Sequence, residues 1–262
     1  MENLTPTIKM PVLFLGHGNP MYAIEQNEFT ENWKNLGTAI PKPQTILVIS
    51  AHWETNGTYL TAMDKPKTIH DFGGFPRELH EVQYPAPGSP SLAAEIAQKL
   101  TNIKMDLNQW GLDHGTWSIL KHMYPDANIP ISQLSLNKQL TMREHYELGS
   151  QLAYLRKMGV LIIGSGNIVH NLQLINWRNK DAYHDWAREA NDLMKKWIIE
   201  GDIENLMDYK NKGEAIKLAI PTPEHFIPLI YMLALSNKTD KISLFNDKLL
   251  MGSLSMTSIL FE

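Results

Sequence analysis

The sequence predicts an α/β fold: a single domain with a central mixed, mostly parallel sheet flanked by helices. Short apolar runs alternate with amphipathic stretches along the whole chain, and this alternation is typical of βα units. A chain of 262 residues fits either one large α/β domain or two small ones. No repeat, low-complexity segment or linker-like change of composition divides it, so we expect a single domain over residues 1–262.

The apolar runs predict the strands. Those at residues 11–15 (PVLFL), 45–50 (TILVIS) and 160–163 (VLII) are continuous rather than alternating, as in strands buried on both faces. Further strands are predicted, in chain order, at residues 59–63, 103–107, 129–136, 242–245 and 252–260.

The amphipathic stretches predict helices at residues 25–36, 116–123, 141–158 and 181–200. Two more should begin where a capping side chain precedes a proline, at Ser89-Pro90 and at Thr222-Pro223, and run to about residues 100 and 235. Residues 69–90 form a long irregular segment. Its aromatic content argues against disorder, and irregular segments of this length are usually functional.

Composition excludes several classes of protein. The chain has no cysteine, which removes disulfide frameworks, thiolate metal sites and iron–sulfur clusters. A formal net charge of -4 with scattered basic residues predicts no nucleic-acid partner. Without a run of ~18 apolar residues or a signal-peptide core near the start, we expect no membrane partner and a cytoplasmic location. The oligomeric state does not follow from the sequence.

Three of the ten histidines occupy comparable positions. His17, His52 and His170 follow the three continuous apolar runs, and sites in open parallel sheets form outside the carboxyl ends of the strands. His225 is expected in the first turn of the last helix. Glycines beside His17 and His170 permit sharp turns and close approach of the backbone. The four side chains can therefore meet at one metal ion, although each alone also fits an ordinary loop histidine.

The donor set limits the metal. Imidazole suits Zn, Fe, Cu and Ni, and the absence of an HExxH motif gives no support to a zincin protease. Three carboxylates lie near these histidines in the sequence: Glu54, Asp113 and Glu224. A site of two histidines and one carboxylate is therefore an alternative. Three neutral histidines would instead leave the full double charge on the ion. That charge favours an anionic bidentate ligand such as a deprotonated catechol.

His114 has two interpretations. It is either a catalytic residue or incidental to a helix that starts at Asp113 or Thr116. Four other histidines are expected at the surface or in packing: His80, His122, His145 and His184.

Eight motifs occur together between about Phe14 and Met256. In order they are FLGHGNPM, VISAHW, IHDFGGFP, YPAPGSP, WGLDHGTW, IIGSGNIVHNL, PTPEHFIPLIY and MGSLSM. With these motifs the chain resembles the class III extradiol ring-cleaving dioxygenases, and within them the 4,5-DOPA dioxygenase-like branch of bacteria and plants. Each motif alone is weak, but eight in one order are specific.

The resemblance implies a dioxygenase that uses Fe(II) and O₂ to open the ring of a small catechol, with Zn(II) as a metal that a purified form can hold. It implies metal ligation by His17, His52 and His225, with Glu224 as a substitute because the wider family commonly uses a glutamate. His170 matches the family's base, and in a zinc-bound resting form a fourth ligand, while His114 matches the proposed acid. The substrate is expected to contact His70, Phe72 and Phe75.

Two other functions remain open on the sequence. A zinc hydrolase on a similar fold would use the same histidines to activate water, and metal dependence separates it from an oxygenase because zinc has no redox chemistry. The second alternative is an interaction protein that binds a metal but has no catalytic activity, and such a protein needs only the metal ligands. The presence of both His114 and His170 counts against it, because only turnover needs an acid and a base.

Overall fold

Eight strands form one mixed sheet in the computed structural model, which describes residues 4–262; residues 1–3 of the expected domain lie outside the described part. The strands of the chain are β1 (Val12–Gly16), β2 (Thr45–Thr55), β3 (Thr58–Thr61), β4 (Lys67–Thr68), β5 (Ile103–Asp106), β6 (Gly111–Leu112), β7 (Ile131–Asn137), β8 (Val160–Gly166), β9 (Ile242–Phe245), β10 (Leu249–Leu250), β11 (Leu254–Ser255) and β12 (Ser258–Phe261).

The large sheet has the order β5-β3-β7-β2-β8-β1-β12-β9, and β4–β6 and β10–β11 form two small separate sheets. Its four central strands β7, β2, β8 and β1 are mutually parallel, while β12 and β9 add an antiparallel edge. The predicted mixed, mostly parallel sheet is therefore confirmed.

The three continuous apolar runs lie at the centre of this sheet because both of their faces are covered. Val12 and Phe14 of β1 belong to the hydrophobic core on one face, and Leu13 and Leu15 belong to the core on the other. The carboxyl ends of β1, β8 and β2 therefore share one edge, held by strands that are buried on both sides.

The helices cover both faces of the sheet. They are α1 (Glu28–Ala39), α2 (Arg77–His80), α3 (Pro90–Lys99), α4 (His114–Met123), α5 (Met142–Gln151), α6 (Asp185–Glu200), α7 (Ile203–Met207), α8 (Glu214–Ala219) and α9 (Ile227–Leu235). All nine residues of α9 are buried, and this helix packs beneath β8, β1 and β2. Among the described residues, no helix combines the length and apolar character needed to cross a bilayer.

Several predicted helix boundaries are wrong. The helix predicted over residues 141–158 is divided into α5 and a 3₁₀ segment, Ala153–Met158, which ends at Gly159 with φ 69°. The last helix begins at Ile227 rather than at Thr222-Pro223. The Thr222 hydroxyl donates to Glu224 Oε1 (2.8 Å) and caps no helix. Consequently His225 precedes α9 instead of lying in its first turn.

Smaller corrections concern caps and the C-terminus. Ser89 occupies the N-cap position of α3, but its side chain makes no capping bond. The strand predicted over residues 252–260 is interrupted, so that β11 belongs to a small hairpin and only β12 joins the large sheet. The short helices α7 and α8 were not predicted, since neither is long enough to show a clear helical period.

One histidine is buried in the helix layer away from the other histidines. His145 of α5 is buried, and its Nδ1 lies 3.0 Å from the Tyr231 hydroxyl of α9. Burial lowers the pKa of His145 to about 4. The unfolded chain therefore takes up a proton near the ordinary pKa of ~6.5, whereas the folded chain does so only near pH 4.

We expect the free energy of unfolding to fall as pH falls from about 6.5 to 4, because the unfolded state binds the extra proton in that window. His145 contributes at most about 3.5 kcal/mol to this loss, at ~1.4 kcal/mol for each unit of pKa difference. The substitution His145→Gln should flatten the dependence, as measured by urea unfolding at pH 7 and 4.5. His80→Gln, at an exposed position, is the matched control. An unchanged pH slope in His145→Gln would contradict the assignment.

Candidate metal centre

The carboxyl edge of the central strands brings together histidines that are far apart in sequence. His17 directly follows β1, His52 lies near the end of β2, and His170 follows β8 by four residues. His225 reaches the same place from the turn before α9. The pairing between β2 and β7 is irregular between Ile49 and Glu54, and a β-bulge of this kind re-aims the side chains it carries. His52 lies inside that irregularity.

Three imidazoles are close enough to share one ion. His17 Nε2 lies 3.1 Å from His52 Nε2, and the potential ligand atoms of His17, His52 and His225 all lie within 4.8 Å of one another. Two nitrogens that each bind one ion at ~2.0–2.1 Å are about 3.0–3.4 Å apart. The spacing of the first pair therefore fits a common metal ion.

Each of these imidazoles is supported at its other nitrogen. Ser165 Oγ lies 3.0 Å from His17 Nδ1, Asp71 Oδ2 lies 3.1 Å from His52 Nδ1, and Glu224 Oε1 lies 3.1 Å from His225 Nδ1. Partners of this kind fix the orientation of a metal-binding ring and leave Nε2 free. Glu224, the alternative third ligand, thus supports His225 from behind, although its carboxylate also lies within 4.8 Å of a ligand atom of His170.

The electrostatics favour the neutral form of two of the three histidines. Burial, together with the other histidines, lowers the pKa of His17 and of His225 well below the ordinary value. Burial also acts to lower the pKa of His52, but Asp71 and Asp113 outweigh it and the net shift is upward. Because a metal binds the unprotonated ring, His17 and His225 are ready to bind a cation at neutral pH. The donor set fits a divalent transition metal.

A glycine lets the His225 turn approach the sheet. A Cβ on Gly166 would lie 2.2 Å from the carbonyl oxygen of His225, and that oxygen accepts the Asn167 N–H at 2.9 Å. Among the glycines beside His17 and His170, a positive φ occurs only at Gly18 (62°). Close approach, rather than a left-handed turn, is therefore the reason for glycine at position 166.

His170 and His114 lie beside the three-histidine group. The ring of His170 stacks on that of His225, with centroids 3.5 Å apart and planes at 9°. Burial lowers the pKa of His170 to about 4, below the ~6.5–7 that suits a base near neutral pH. The ring centroid of His114 lies 4.0 Å from that of His52, so His114 also belongs to this cluster.

The residue before His114 caps a helix, as one of the two interpretations of His114 expects. The side chain of Asp113 caps α4 by accepting the Thr116 N–H at 3.1 Å, and it also accepts the Ser50 hydroxyl at 2.8 Å. His114 is the first residue of that helix and does not lie in a loop. The cap therefore accounts for Asp113 and leaves the imidazole of His114 directed to the histidine cluster.

Asp71 is the site residue that the sequence analysis missed. Its Oδ2 lies 3.1 Å from His52 Nδ1, and its Oδ1 lies 3.0 Å from His114 Nδ1 and accepts the His114 backbone N–H at 2.9 Å. Burial alone would raise the pKa of Asp71, but the two imidazoles lower it well below its ordinary value. The available signal was an aspartate within the irregular segment already expected to be functional.

The histidine cluster lines a cavity of about 360 Å³ that Phe72 and Phe75 also line. His70 does not line it; its Nε2 lies 2.9 Å from the Val82 carbonyl oxygen, so that this contact joins the start of the irregular segment to its middle. Glu54 lines a different cavity of about 700 Å³. Although that second cavity is larger, we place the site in the first, because the potential ligands converge there.

Comparisons with known proteins agree with one another. Residues 11–259 match the family described as the catalytic LigB subunit of aromatic ring-opening dioxygenase. A protein of Escherichia coli K12 named 4,5-DOPA dioxygenase extradiol is 44% identical, over 98% of this chain and 99% of its own. A protein of Beta vulgaris with the same name is 38% identical, over 95% of each chain. The crystal structure of an uncharacterized protein from Escherichia coli K12 superposes with a TM-score of 0.85 at 39% identity, covering 97% of this chain and 100% of the other.

We expect Asp71→Asn to weaken metal binding about 10- to 100-fold, as is typical when the partner of a ligating histidine is lost. The carboxamide keeps the shape but removes the charge beside His52 and His114. Anaerobic competition with a chromophoric chelator measures the affinity. Asp126→Asn, at an exposed position, is the control. Wild-type affinity in Asp71→Asn would show that the carboxylate does not support the site.

Proposed function

The chain belongs to the family of the catalytic LigB subunit of aromatic ring-opening dioxygenases and is an extradiol ring-cleaving dioxygenase, and we propose that its histidine centre binds Fe(II) and a small catechol. The proposal rests on one observation: the potential ligand atoms of His17, His52 and His225 all lie within 4.8 Å of one another. Such a set retains the double charge of the ion and favours a bidentate anion.

The residues that would hold the metal are His17, His52 and His225, each through the nitrogen that its supporting partner leaves free. When bound, Fe(II) supplies the redox link that lets an aromatic ring react with O₂. Zn(II) fits the same nitrogens but has no redox chemistry. A zinc-loaded form would therefore bind a catechol without cleaving it.

His170 is suited to take a proton from the catechol. Its ring is neutral at neutral pH, because burial lowers its pKa to about 4. The negative charge of a bound catecholate would stabilise the protonated ring and make it a stronger base. The stacked ring of His225 keeps His170 in a fixed orientation at the cavity wall.

His114 is suited to return a proton to the oxygen that leaves the ring. Burial and His52 lower its pKa, and Asp71 acts in the opposite direction. To donate, His114 must first carry a proton on both nitrogens, and the Asp71 carboxylate 3.0 Å from Nδ1 stabilises that charged form. General acid–base catalysis of this kind contributes about 10²–10⁴-fold in rate.

The zinc-hydrolase alternative shares the metal ligands but not the family. The names of the relatives specify DOPA, which makes DOPA the first catechol to test.

Phe72 and Phe75 are proposed to contact the ring of the catechol. A cytoplasmic location stays a prediction from the sequence.

We expect the protein loaded anaerobically with Fe(II) to consume one O₂ per catechol and to form a yellow product, measured by an oxygen electrode and absorbance. The zinc-loaded protein should be inactive. His52→Ala should lose iron by metal analysis, because it removes one of three ligands. Hydrolytic activity with zinc under anaerobic conditions, and no oxygen uptake with iron, would favour the hydrolase.

His170→Gln and His114→Gln should retain iron and bind catechol, while kcat falls about 10²–10⁴-fold. The comparison of kcat with KM separates lost proton transfer from lost binding. His122→Gln is the matched control, because this histidine bonds the Tyr22 carbonyl away from the cluster. Full turnover by either variant would exclude that residue as a proton carrier.

A further inference from the structure

Asn19 is a polar residue in the wall of the histidine cavity that the proposed reaction does not use. It is half-buried and follows His17 by two residues. Between them, Gly18 has a φ of 62°, a conformation that glycine adopts without a steric cost. The chain therefore turns sharply after His17, and Asn19 lines the same cavity as the imidazole.

The side chain of Asn19 is held in one orientation. Pro20 restricts the residue before it to extended backbone, and Asn19 has φ −79° and ψ 132°. Its Oδ1 accepts the Met21 N–H at 2.9 Å. Because a backbone N–H can only donate, the atom that faces Met21 is the oxygen, and the Nδ2 group lies on the other side of the amide.

The Nδ2 group of Asn19 is available to a ligand. Within residues 4–262, Oδ1 has a partner but Nδ2 donates to no protein acceptor. The other polar side chains of the lining are the five clustered histidines, Asp71 between two of them, and Trp177, which is 73% exposed at the mouth. The histidines and Asp71 belong to the candidate metal centre, which leaves Asn19 as a polar group for the rest of the substrate.

The chemistry of an amide N–H selects the kind of group that it can bind. Both hydrogens of Nδ2 are donors, so they pair with an acceptor and give nothing to an ammonium group. A carboxylate is the strongest common acceptor, since hydrogen bonds to an ionised group are shorter and stronger than neutral ones. Because Asn19 is only half-buried, a carboxylate beside it would keep part of its hydration, which reduces the cost of desolvation.

We infer, on the basis of the proposed function, that Asn19 is a specificity-determining residue whose Nδ2 donates a hydrogen bond to a carboxylate on the side chain of the catechol. The substrate class is then a catechol with a short anionic side chain. DOPA belongs to this class through its carboxylate. The histidines bind the diol end of the substrate, and Asn19 binds the opposite end.

The test uses three catechols whose side chains differ only in the terminal group: dihydrocaffeate (carboxylate), 4-propylcatechol (methyl) and dopamine (ammonium). For the iron-loaded protein, the measured quantity is kcat/KM of dihydrocaffeate divided by that of 4-propylcatechol. Asn19→Ala should lower this ratio about tenfold, at the lower end of what a hydrogen bond to a charged group contributes. An unchanged ratio would overturn the inference.

Asn19→Asp is the sharper variant, because it retains the oxygen that the Met21 N–H needs and replaces the donor by a negative charge. The same ratio should fall further than in Asn19→Ala, by about 100-fold, since the hydrogen bond is lost and two carboxylates repel each other. Dopamine should improve relative to 4-propylcatechol. Equal losses for dihydrocaffeate and dopamine would contradict recognition of the carboxylate.

Asn27→Asp is the matched control. Asn27 also caps a helix, its Oδ1 accepting the N–H groups of Phe29 and Thr30 at 3.0 Å each, but it lies outside the cavity. The substitution adds the same charge at a similar structural position, and the ratio should stay at the wild-type value. A fall as large as that in Asn19→Asp would assign the effect to the net charge of the protein and overturn the inference.

Binding without turnover separates this inference from the proposed function. If no catechol supports oxygen uptake, the proposed function fails, but calorimetry of the zinc-loaded protein still measures the affinity for dihydrocaffeate and for 4-propylcatechol. A loss of about tenfold in Asn19→Ala for dihydrocaffeate, with a smaller change for 4-propylcatechol, supports the inference. Equal changes for the two ligands contradict it.

Discussion

The parallel register of β1, β8 and β2 is the constraint on which the candidate metal centre depends. Leu15 and Ser50 both pair with Ser165, from opposite sides of β8. His17 and His52 each come two residues after that level, so the register brings them close together near Ser165, whose hydroxyl lies 3.0 Å from His17 Nδ1. A slip of one residue would send either side chain to the other face of the sheet. The large buried core on both faces thus stabilises the site by fixing the register.

Five imidazoles around one cavity would repel one another if they were charged. Burial keeps most of them neutral, and the carboxylate of Asp71 lies between His52 and His114. The arrangement therefore separates two roles: neutral nitrogens suited to a cation on one side, and a carboxylate that stabilises a protonated imidazole on the other. The same Asp71 connects both roles, because it contacts a proposed ligand and the proposed acid.

The pattern of apolar residues predicted much of the fold. The errors arose where side chains make hydrogen bonds or contacts that this pattern does not encode. Continuous apolar runs gave β1, β2 and β8, and the rule that sites form at carboxyl ends of parallel strands brought His17, His52 and His170 together. The turn at His225 was misjudged because Thr222 bonds Glu224 instead of capping a helix. Asp71 was missed because its role comes from contacts with residues 19 and 43 positions away, which no local pattern encodes.

The segment that carries Asp71 also joins the histidine cluster to the apolar wall of the cavity. Asp71 points to the histidines, while Phe72 and Phe75, a few residues later, form the apolar wall of the cavity. The Trp117 indole N–H donates to the Ile69 carbonyl oxygen at 2.8 Å and holds the start of this segment on α4, the helix that begins with His114. A substrate that displaces Phe72 therefore acts on the backbone next to Asp71, and through it on His52 and His114. The apolar wall and the histidine cluster are for this reason connected through a single short stretch of chain.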